Sequence, residues 1–250
     1  MCRGGVVLTT PPPIIKMSKL QQKFFQNHTL QVAKNLIGKL LCVKTKNKLI
    51  LSVIITETEA YHGQEDDACH AHRGKTKRNE IMFDKAGYTY VYFTYGMHHL
   101  LNIVTYKKNF PSAVLIRGAT IDINNYVEFT DNTFNTTKPF IIPPKNKKIL
   151  ENKINDKVKN AISQDRFGKN YDKLSNYQRK NLLNGPAKLT QALQITTQTH
   201  NKVYAIDSNK IWFEDLKIKP NPKFLQKTKR IGIDYAEKSK NWEYRFIVEL

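Results

Sequence analysis

The chain has 250 residues, and its 41 Lys plus Arg against 21 Asp plus Glu give a formal net charge of +20 at pH 7. So large an excess favours a polyanionic partner, with nucleic acid as the first candidate, although an Asn/Lys-rich bias could raise the charge without a function. Hydrophobic residues make up 40% of the chain, enough for a sizeable core. No apolar run approaches the ~20 residues of a membrane helix. The three widely spaced cysteines argue against a disulfide framework and indicate a reducing, intracellular setting.

The beginning and the middle of the chain differ in composition from the rest. Residues 1–20 contain a short apolar stretch followed by three prolines, which predicts a disordered leader and not a secretion signal; the start could also lie at Met17. Residues 21–250 are predicted to form a single domain. Within it, residues from about 120 to 183 are rich in Asn, Lys and Asp. This composition predicts a low-complexity surface excursion that is partly helical towards its end.

The first predicted elements are a helix and two strands. In TLQVAKNLIG, residues 29–38, apolar residues recur on one helical face, with Thr29 as the expected N-cap and Gly38 at the end. The runs KLLCVKT (39–45) and LILSVIITE (49–57) are predicted to be strands joined by a short polar turn. They predict a hairpin.

The later elements include a second hairpin. YTYVYFTYGMHHLLNIV, residues 88–104, has two β-rich arms around Gly96. Further patterns predict a strand, a helix with Pro186 in its first turn and two closing strands, in the runs SAVLIRGA, NGPAKLTQALQI, RIGIDYAE and EYRFIVEL. Strands without regular helix alternation predict an α+β fold, with a single compact domain, a mainly antiparallel β-sheet, flanking helices and a protruding β-hairpin.

An acidic motif follows the second predicted strand. In ETEAY the side chains of Glu57, Glu59 and Tyr61 share one face if the chain is extended. A polyanion repels carboxylates, so a carboxylate kept near a nucleic acid needs a chemical reason, and a general base that activates water is the obvious one. The alternative is a strand end with solvated acids.

A group of tyrosines marks the second hairpin. Tyr88, Tyr90 and Tyr92 share one face of a strand, and Tyr95 lies in the turn. Aromatic side chains stack on unpaired bases, and one carried by a turn can enter a base stack as a wedge. The alternative is that these are ordinary residues of a sheet.

Taken together, the motifs resemble the alkyladenine (3-methyladenine, or methylpurine) DNA glycosylase family. The resemblance covers roughly residues 30–118 and 184–250 and rests on ETEAY, EDDACHAHRG, RNEIMF, YVYFTYGMHHLLNIV, VLIRG and NGPAKLTQAL. It implies a monofunctional DNA glycosylase that flips out alkylated or deaminated purines and hydrolyses the N-glycosidic bond. The product is an abasic site, which initiates base excision repair.

The resemblance also implies roles for single residues. Glu59 matches the general base that deprotonates the attacking water. Arg117 matches a basic residue that holds a phosphate or that water. Tyr95, at the tip of the hairpin, matches the residue that intercalates into DNA and fills the gap left by the flipped nucleotide.

The same resemblance implies a pocket for the base. Tyr61 and His70 match positions that stack on and hydrogen-bond to the flipped base, and Tyr92 matches the opposing aromatic wall. Asn102 matches a position that rejects normal guanine through its exocyclic amine. A cationic alkylated purine is a good leaving group and is attracted to aromatic faces, so one carboxylate suffices and no lysine nucleophile is needed.

The expected partner is double-stranded DNA that contains damaged purines, bound by a monomer without a cofactor. We expect no membrane association and a cytoplasmic, nucleoid-associated location. His62, Cys69, His70 and His72 suggest zinc, but their spacing fits no tetrahedral site, so no metal is predicted.

Three alternatives remain open. Glu57 could be the base, although its more interior place favours a structural role. The chain could be a non-catalytic nucleic-acid-binding protein, perhaps for RNA, or an enzyme that transfers groups between small molecules; the first leaves ETEAY unexplained and the second leaves the charge unexplained. The sequence does not indicate which lesion is preferred.

Overall fold

The computed structural model of the chain describes residues 19–128 and 137–250. Nearly all of the predicted leader and part of the Asn/Lys-rich region therefore lie outside the described residues. The described ranges contain helices at Gln22–Phe25 (α1), Thr29–Leu36 (α2), Pro144–Lys153 (α3), Asp156–Phe167 (α4), Asn176–Lys180 (α5), Pro186–Ala192 (α6) and Thr197–His200 (α7). Their strands are Leu40–Lys44 (β1), Ile50–His62 (β2), Thr89–Thr94 (β3), His98–Val104 (β4), Ser112–Thr120 (β5), Tyr126–Glu128 (β6), Phe140–Ile142 (β7), Ile211–Glu214 (β8), Lys219–Pro220 (β9), Leu225–Thr228 (β10) and Arg245–Val248 (β11).

Strand β2 lies at the centre of the larger sheet. It is 13 residues long and buried from Leu51 to Ala60. Its first half pairs with β1 and its second half with β11, while β5 runs along its other edge. The order across the sheet is β10-β11-β2-β5-β4-β3, and β1 continues to β8. These pairings are all antiparallel, which confirms the predicted α+β domain with a mainly antiparallel sheet.

Most of the locally predicted elements are present. β1 and β2 form the first hairpin, and β3 and β4 pair antiparallel around the turn at residues 95–97. Helix α6 begins with Pro186 after the N-cap Gly185, and it packs on β4 and β5 through its buried face. Among the described helices, none is long and apolar enough to cross a membrane.

The cap of helix α2 was predicted one residue too late. His28 is the N-cap, and its Nδ1 accepts from the Leu30 amide at 3.4 Å. Thr29 is instead the first helical residue and is fully buried, because its hydroxyl bonds to His62 Nδ1 at 2.8 Å and to the Thr105 hydroxyl at 3.0 Å. The local pattern predicted that the Thr29 hydroxyl caps the helix, but it bonds instead to side chains from distant parts of the chain.

The Asn/Lys-rich region is not a surface excursion where it is described. Phe140, Leu150 and Ile162 belong to the same buried cluster as the central sheet. Lys153 also forms an ion pair at 2.8 Å with Glu214 of β8. The prediction of a surface insertion is wrong for this part, because apolar residues spaced along helices α3 and α4 fill the core even though the composition around them is polar.

The first of the two predicted closing strands also needs correction. RIGIDYAE does not form a strand; it lies in an irregular stretch between β10 and β11, whereas the following EYRFIVEL does contain β11. We call residues 230–239 the 230–239 segment. Asp66 binds the Arg230 side chain at its start, and Asp67 accepts from the amides of residues 237–239 at its end. Glu59 accepts from the Ile231 amide, so these four amides bond to side chains and not to a neighbouring strand.

Candidate active site

A cavity of about 280 Å³ opens between the β3–β4 hairpin, the second half of β2 and the 230–239 segment. This volume is close to the lower end of ligand pockets, ~300 Å³. The side chains that line it are mostly aromatic or apolar: Tyr61, Ala68, His70, Arg78, Met82, Tyr90, Tyr92, Thr94, Tyr95, Leu100, Asn102, Ala113, Leu115, Arg117, Pro186, Ile231, Gly232, Ile233 and Tyr235. Six of the seven residues expected in the site are therefore among its walls.

Strand β3 and the loop after β2 build the aromatic wall. The rings of His70 and Tyr92 meet edge to face, with centroids 4.5 Å apart. His70 Nδ1 is 2.9 Å from the Tyr90 hydroxyl, and the ring of Tyr90 lies 5.4 Å from that of Tyr92. Alternation along β3 places both tyrosines on the cavity side, as the sequence predicted. The result is a set of rings that fix one another.

His70 is held neutral in this wall. Burial lowers its pKa to about 4, and the nearby Arg78 guanidinium adds to the shift. Arg78 also lies over the ring of Tyr92, with its guanidinium carbon 5.2 Å from the centroid. At neutral pH the imidazole can therefore donate one hydrogen bond and accept another without adding a positive charge to the cavity.

Glu59 lies behind the cavity wall and not in it. Its carboxylate is completely buried. Oε2 accepts from the Tyr61 hydroxyl at 2.9 Å, and Oε1 accepts from the Ile231 amide at 2.8 Å. Arg117 Nη1 is 3.4 Å from Oε1. All three of these partners line the cavity, so the carboxylate is one residue layer away from it.

Burial gives Glu59 an unusual proton affinity. Desolvation raises the pKa of its carboxyl group above the ordinary 4.5, against the opposing effects of Arg117, the Ile231 amide and the Tyr61 hydroxyl. A carboxylate of raised pKa is a stronger base than a solvated one. This is the property that a general base requires.

Glu57 has a different environment on the same strand. Its Oε1 accepts from Arg117 Nε at 2.8 Å and from Arg245 Nε at 2.6 Å. A β-bulge lies at this position, and the opposite residue is Gly118, where a Cβ would come within 3.2 Å of the Glu57 carboxylate. Two guanidinium partners and the tight packing favour a structural role for Glu57.

Arg117 joins the two acids. Its guanidinium contacts both Glu57 and Glu59 while the residue lines the cavity. Asn102 lies on the neighbouring strand β4, opposite Leu115, and its Nδ2 donates to the Tyr90 carbonyl at 3.1 Å. Both predicted residues are therefore at the cavity, each with its orientation fixed by a hydrogen bond.

Tyr95 lies at the tip of the β3–β4 hairpin. It is 85% exposed, and the neighbouring Met97 and Phe93 are 69% and 50% exposed. Tyr95 and Gly96 both have positive φ, +51° and +67°, as a type I′ turn requires at its two central positions. The hairpin thus presents an apolar tip to solvent at the mouth of the cavity.

Three arginines of the site have no local signature in the sequence. Arg230 and Arg245 reach Asp66 and Glu57 across 164 and 188 residues of chain. The only available signal is indirect: buried acids need cations. Arg78 belongs to the RNEIMF motif, but nothing in its spacing places it over an aromatic ring.

The four possible zinc ligands do not come together. His62 Nδ1 bonds to Thr29, and His72 Nδ1 bonds to the Gln64 carbonyl at 2.5 Å. Burial raises the pKa of the Cys69 thiol to about 12. Within the described ranges, no group of three His, Cys, Asp or Glu side chains is arranged to hold a metal ion.

An aromatic cavity with the buried Glu59 carboxylate behind it, in a chain of such positive charge, has the features that binding of an unpaired nucleobase requires. The family model described as methylpurine-DNA glycosylase (MPG) matches residues 23–250, and the chain belongs to this family. It is thereby a hydrolase that acts on N-glycosyl bonds.

Bacterial relatives agree with this assignment. A protein of Clostridium novyi named "Putative 3-methyladenine DNA glycosylase" is 35% identical over 240 residues, which cover 93% of this chain and 96% of the relative. A protein of the same name from Rickettsia typhi is 39% identical over 232 residues, 92% of each chain. The family match also includes the Asn/Lys-rich region, which the motif resemblance had left out.

Proposed function

We propose that the chain excises alkylated or deaminated purines, such as 3-methyladenine, from duplex DNA. The damaged nucleotide turns out of the helix into the aromatic cavity, its N-glycosidic bond is hydrolysed, and the abasic site initiates base excision repair. One observation carries the proposal: the buried Glu59 carboxylate, with its raised pKa, lies directly behind a cavity walled by tyrosine and histidine rings.

The cavity suits a cationic purine. Tyr61 and Tyr92 offer aromatic faces, and base stacking contributes ~1–3 kcal/mol per ring by alanine substitution. Cation–π attraction strengthens the stacking of a base that alkylation has made positive. The neutral imidazole of His70 can hydrogen-bond to the edge of such a base without repelling it. Unmodified, neutral purines lack the additional attraction.

In the hydrolytic step, Glu59 takes a proton from a water whose oxygen attacks C1′ of the sugar. The C1′–N bond breaks as the C1′–O bond forms, and its electron pair leaves with the base. A cationic base departs as a neutral molecule, so no second acid is needed to protonate it. An uncharged deaminated purine would leave as an anion that takes its proton from solvent water. Tyr61 and Ile231 occupy the two carboxylate oxygens of Glu59 in the free chain. Each of these oxygens can accept a second hydrogen bond, so the water can bond to Glu59 once the wall residues shift and admit it when the substrate is bound.

Two further residues have proposed roles in this step. Arg117 is committed to Glu57 and Glu59, which supports a role in orienting the carboxylate and the attacking water in preference to binding a distant phosphate. Asn102 borders the cavity with a fixed amide, where it would meet the exocyclic amine of a normal guanine. Such a contact would reject guanine on steric and hydrogen-bonding grounds.

The exposed hairpin tip supports the flipping step. Tyr95 would enter the base stack and fill the space of the flipped nucleotide, which opposes its return. The chain would act as a monomer on double-stranded DNA, whose phosphates match its +20 charge. No lysine is among the residues that line the cavity in the described part of the chain, which supports a monofunctional enzyme without a Schiff-base intermediate.

The test is release of free base from methylated duplex DNA by Glu59→Gln. We expect the variant to lose about 100- to 10,000-fold in single-turnover rate, the usual contribution of a general base, while it still binds the DNA. Glu57→Gln is the matched control on the same strand; it should melt at a lower temperature but keep most of its excision rate.

Three other outcomes would change the assignment. An active Glu59→Gln beside an inactive but DNA-binding Glu57→Gln would transfer the base to Glu57. A covalent DNA adduct trapped by borohydride would contradict the monofunctional mechanism. If the unaltered protein and Glu59→Gln bind equally and neither releases a base, the chain is a binding protein.

A further inference from the structure

Two adjacent acids beside the site, Asp66 and Asp67, take no part in the proposed chemistry, although a DNA-binding surface would repel them. Asp66 is fully buried, and Arg230 binds it with two parallel hydrogen bonds of 2.6 and 2.8 Å. Its oxygens also accept from the amides of His62 and Ala68. Asp66 therefore joins the end of β2 to the start of the 230–239 segment.

Asp67 holds the other end of the same segment. Its carboxylate accepts from the amides of Glu237, Lys238 and Ser239 at 2.7, 2.8 and 2.9 Å, and from the Ser239 hydroxyl. Those bonds, the Ser239 hydroxyl first, hold the pKa of Asp67 below its usual range. The segment is thus fixed at both ends by neighbouring residues of one loop.

Between these two anchors the segment reaches the proposed base. Ile231 directly follows Arg230, and its amide donates to Glu59 Oε1. The Arg230 guanidinium also donates to the Ala60 carbonyl at 2.9 Å and lies 4.7 Å above the ring of Tyr61, whose hydroxyl holds the other Glu59 oxygen. Both donors to the carboxylate therefore depend on the position of Arg230.

We propose that Asp66, Arg230 and Asp67 are positioning residues for Glu59. They form a latch that keeps the Ile231 amide on Oε1 and the Tyr61 hydroxyl on Oε2, and so sets how readily the carboxylate takes a proton. This inference rests on the proposed function, in which Glu59 is the general base. None of the three latch residues touches the substrate.

The sign of the effect follows from the hydrogen bond. The Ile231 amide stabilises the ionised carboxylate, so weakening the latch raises the pKa of Glu59 further. The acid limb of the pH–rate profile then moves to higher pH. The other titratable or charged side chains that face or flank Glu59 come from β2, β3, β5, β11 and the segment itself: Glu57, Tyr61, Tyr92, Arg117, Arg245 and Arg230.

Asp66→Asn separates positioning from charge. Removing a negative charge and freeing Arg230 would, by electrostatics alone, lower the pKa of Glu59 and move the acid limb to lower pH. Loosening the Ile231 amide moves it in the opposite direction. We expect the midpoint in single-turnover excision from methylated duplex DNA to rise by about half a pH unit, a roughly threefold lower rate on the acid side.

Asp67→Asn tests the far anchor in the same way and decides the matter alone if Asp66→Asn does not fold. Asp215→Asn is the matched control, since it removes an ion pair with Lys39 at the other end of the sheet. It should lower the melting temperature and leave the acid limb unchanged.

The two failures can be told apart. If Glu59→Gln excises bases at the full rate, the proposed function is wrong. Suppose instead that Glu59→Gln is inactive, while folded Asp66→Asn and Asp67→Asn keep the acid limb of the pH–rate profile in place or move it to lower pH. Then only the proposed positioning role of the latch is wrong. A loss of rate that is equal at every pH likewise assigns the two acids a purely structural role.

Discussion

Two tyrosines three residues apart on one hairpin lie in opposite environments. Tyr92 is packed against His70 inside the cavity, whereas Tyr95 is 85% exposed at the tip. The partly buried Tyr92 ring is held by its neighbours, so it would need little ordering when a base stacks on it. The exposed ring, with Met97 beside it, is apolar surface that binding to a partner would cover. In the proposed function, one hairpin would therefore hold the flipped base with Tyr92 and fill its place in the helix with Tyr95.

The backbone conformations of Tyr92 and Tyr95 differ as well. Tyr92 has regular strand pairing opposite Leu100, but Tyr95 has positive φ, a conformation that is uncommon for residues other than glycine. The strand pairing on both sides of the turn imposes that conformation. Strain of this kind is found where a side chain must be presented in one direction.

The largest expected effect on excision comes from removing the Tyr92 ring in the cavity. Tyr92→Ala removes one stacking face, worth ~1–3 kcal/mol, so we expect kcat/KM on methylated duplex DNA to fall about 5- to 150-fold. Tyr92→Phe keeps the ring and should stay close to the unaltered protein. If Tyr92→Ala keeps its full kcat/KM and a melting curve shows that it is folded, the base does not occupy this cavity.

A smaller effect is expected at the tip. Tyr95→Ser should weaken binding to duplex DNA with a single lesion about tenfold, because the gap in the helix is left unfilled, while stability changes by no more than ~0.5 kcal/mol at so exposed a position. Tyr177→Ser is the matched control, since that tyrosine of α5 is 76% exposed and does not line the cavity. Equal losses of DNA binding in Tyr95→Ser and Tyr177→Ser would show that the tip has no special role.

The smallest expected effect concerns the pH dependence of excision. Because burial raises the pKa of Glu59, excision should be complete above that pKa and fall as the pH drops through it, with a midpoint above the ordinary 4.5. His70 is protonated only near pH 4, below this range. Tyr95→Ser should have the same midpoint, since the tip does not touch Glu59. A midpoint at or below 4.5 in single-turnover rates would contradict the buried base.

Local patterns predicted the elements that local chemistry determines. The strands predicted at 39–45 and 49–57, the β3–β4 hairpin and the Pro186 helix follow from short apolar runs, a turn glycine and an N-terminal proline. In contrast, the alternating Ile231 and Ile233 suggested a strand that does not exist. The acids that hold this segment lie more than a hundred residues earlier, so no window of sequence contains the cause.

The candidate site was likewise predicted only in part. The motif resemblance placed the expected residues around one cavity, and ETEAY marked the acids. It did not indicate that Glu59 is sealed behind the wall, because that depends on Arg117 and the Ile231 amide from distant parts of the chain. Composition likewise predicted an excursion at residues 120–183, but a few apolar residues such as Leu150 are enough to place its helices in the core.

The central position of β2 has a consequence for how the molecule moves. A strand bonded along both edges and buried from Leu51 to Ala60 can exchange its amide hydrogens only when much of the domain opens. The turn at residues 95–97 is exposed and can open by itself, whereas Asp66, Asp67 and Glu59 hold the 230–239 segment in place. The exposed turn thus belongs to a less protected part of the fold, while the proposed base belongs to a strand that is expected to exchange slowly. Local opening of that turn leaves the Glu59 carboxylate in place, because none of the bonds to this carboxylate comes from the turn.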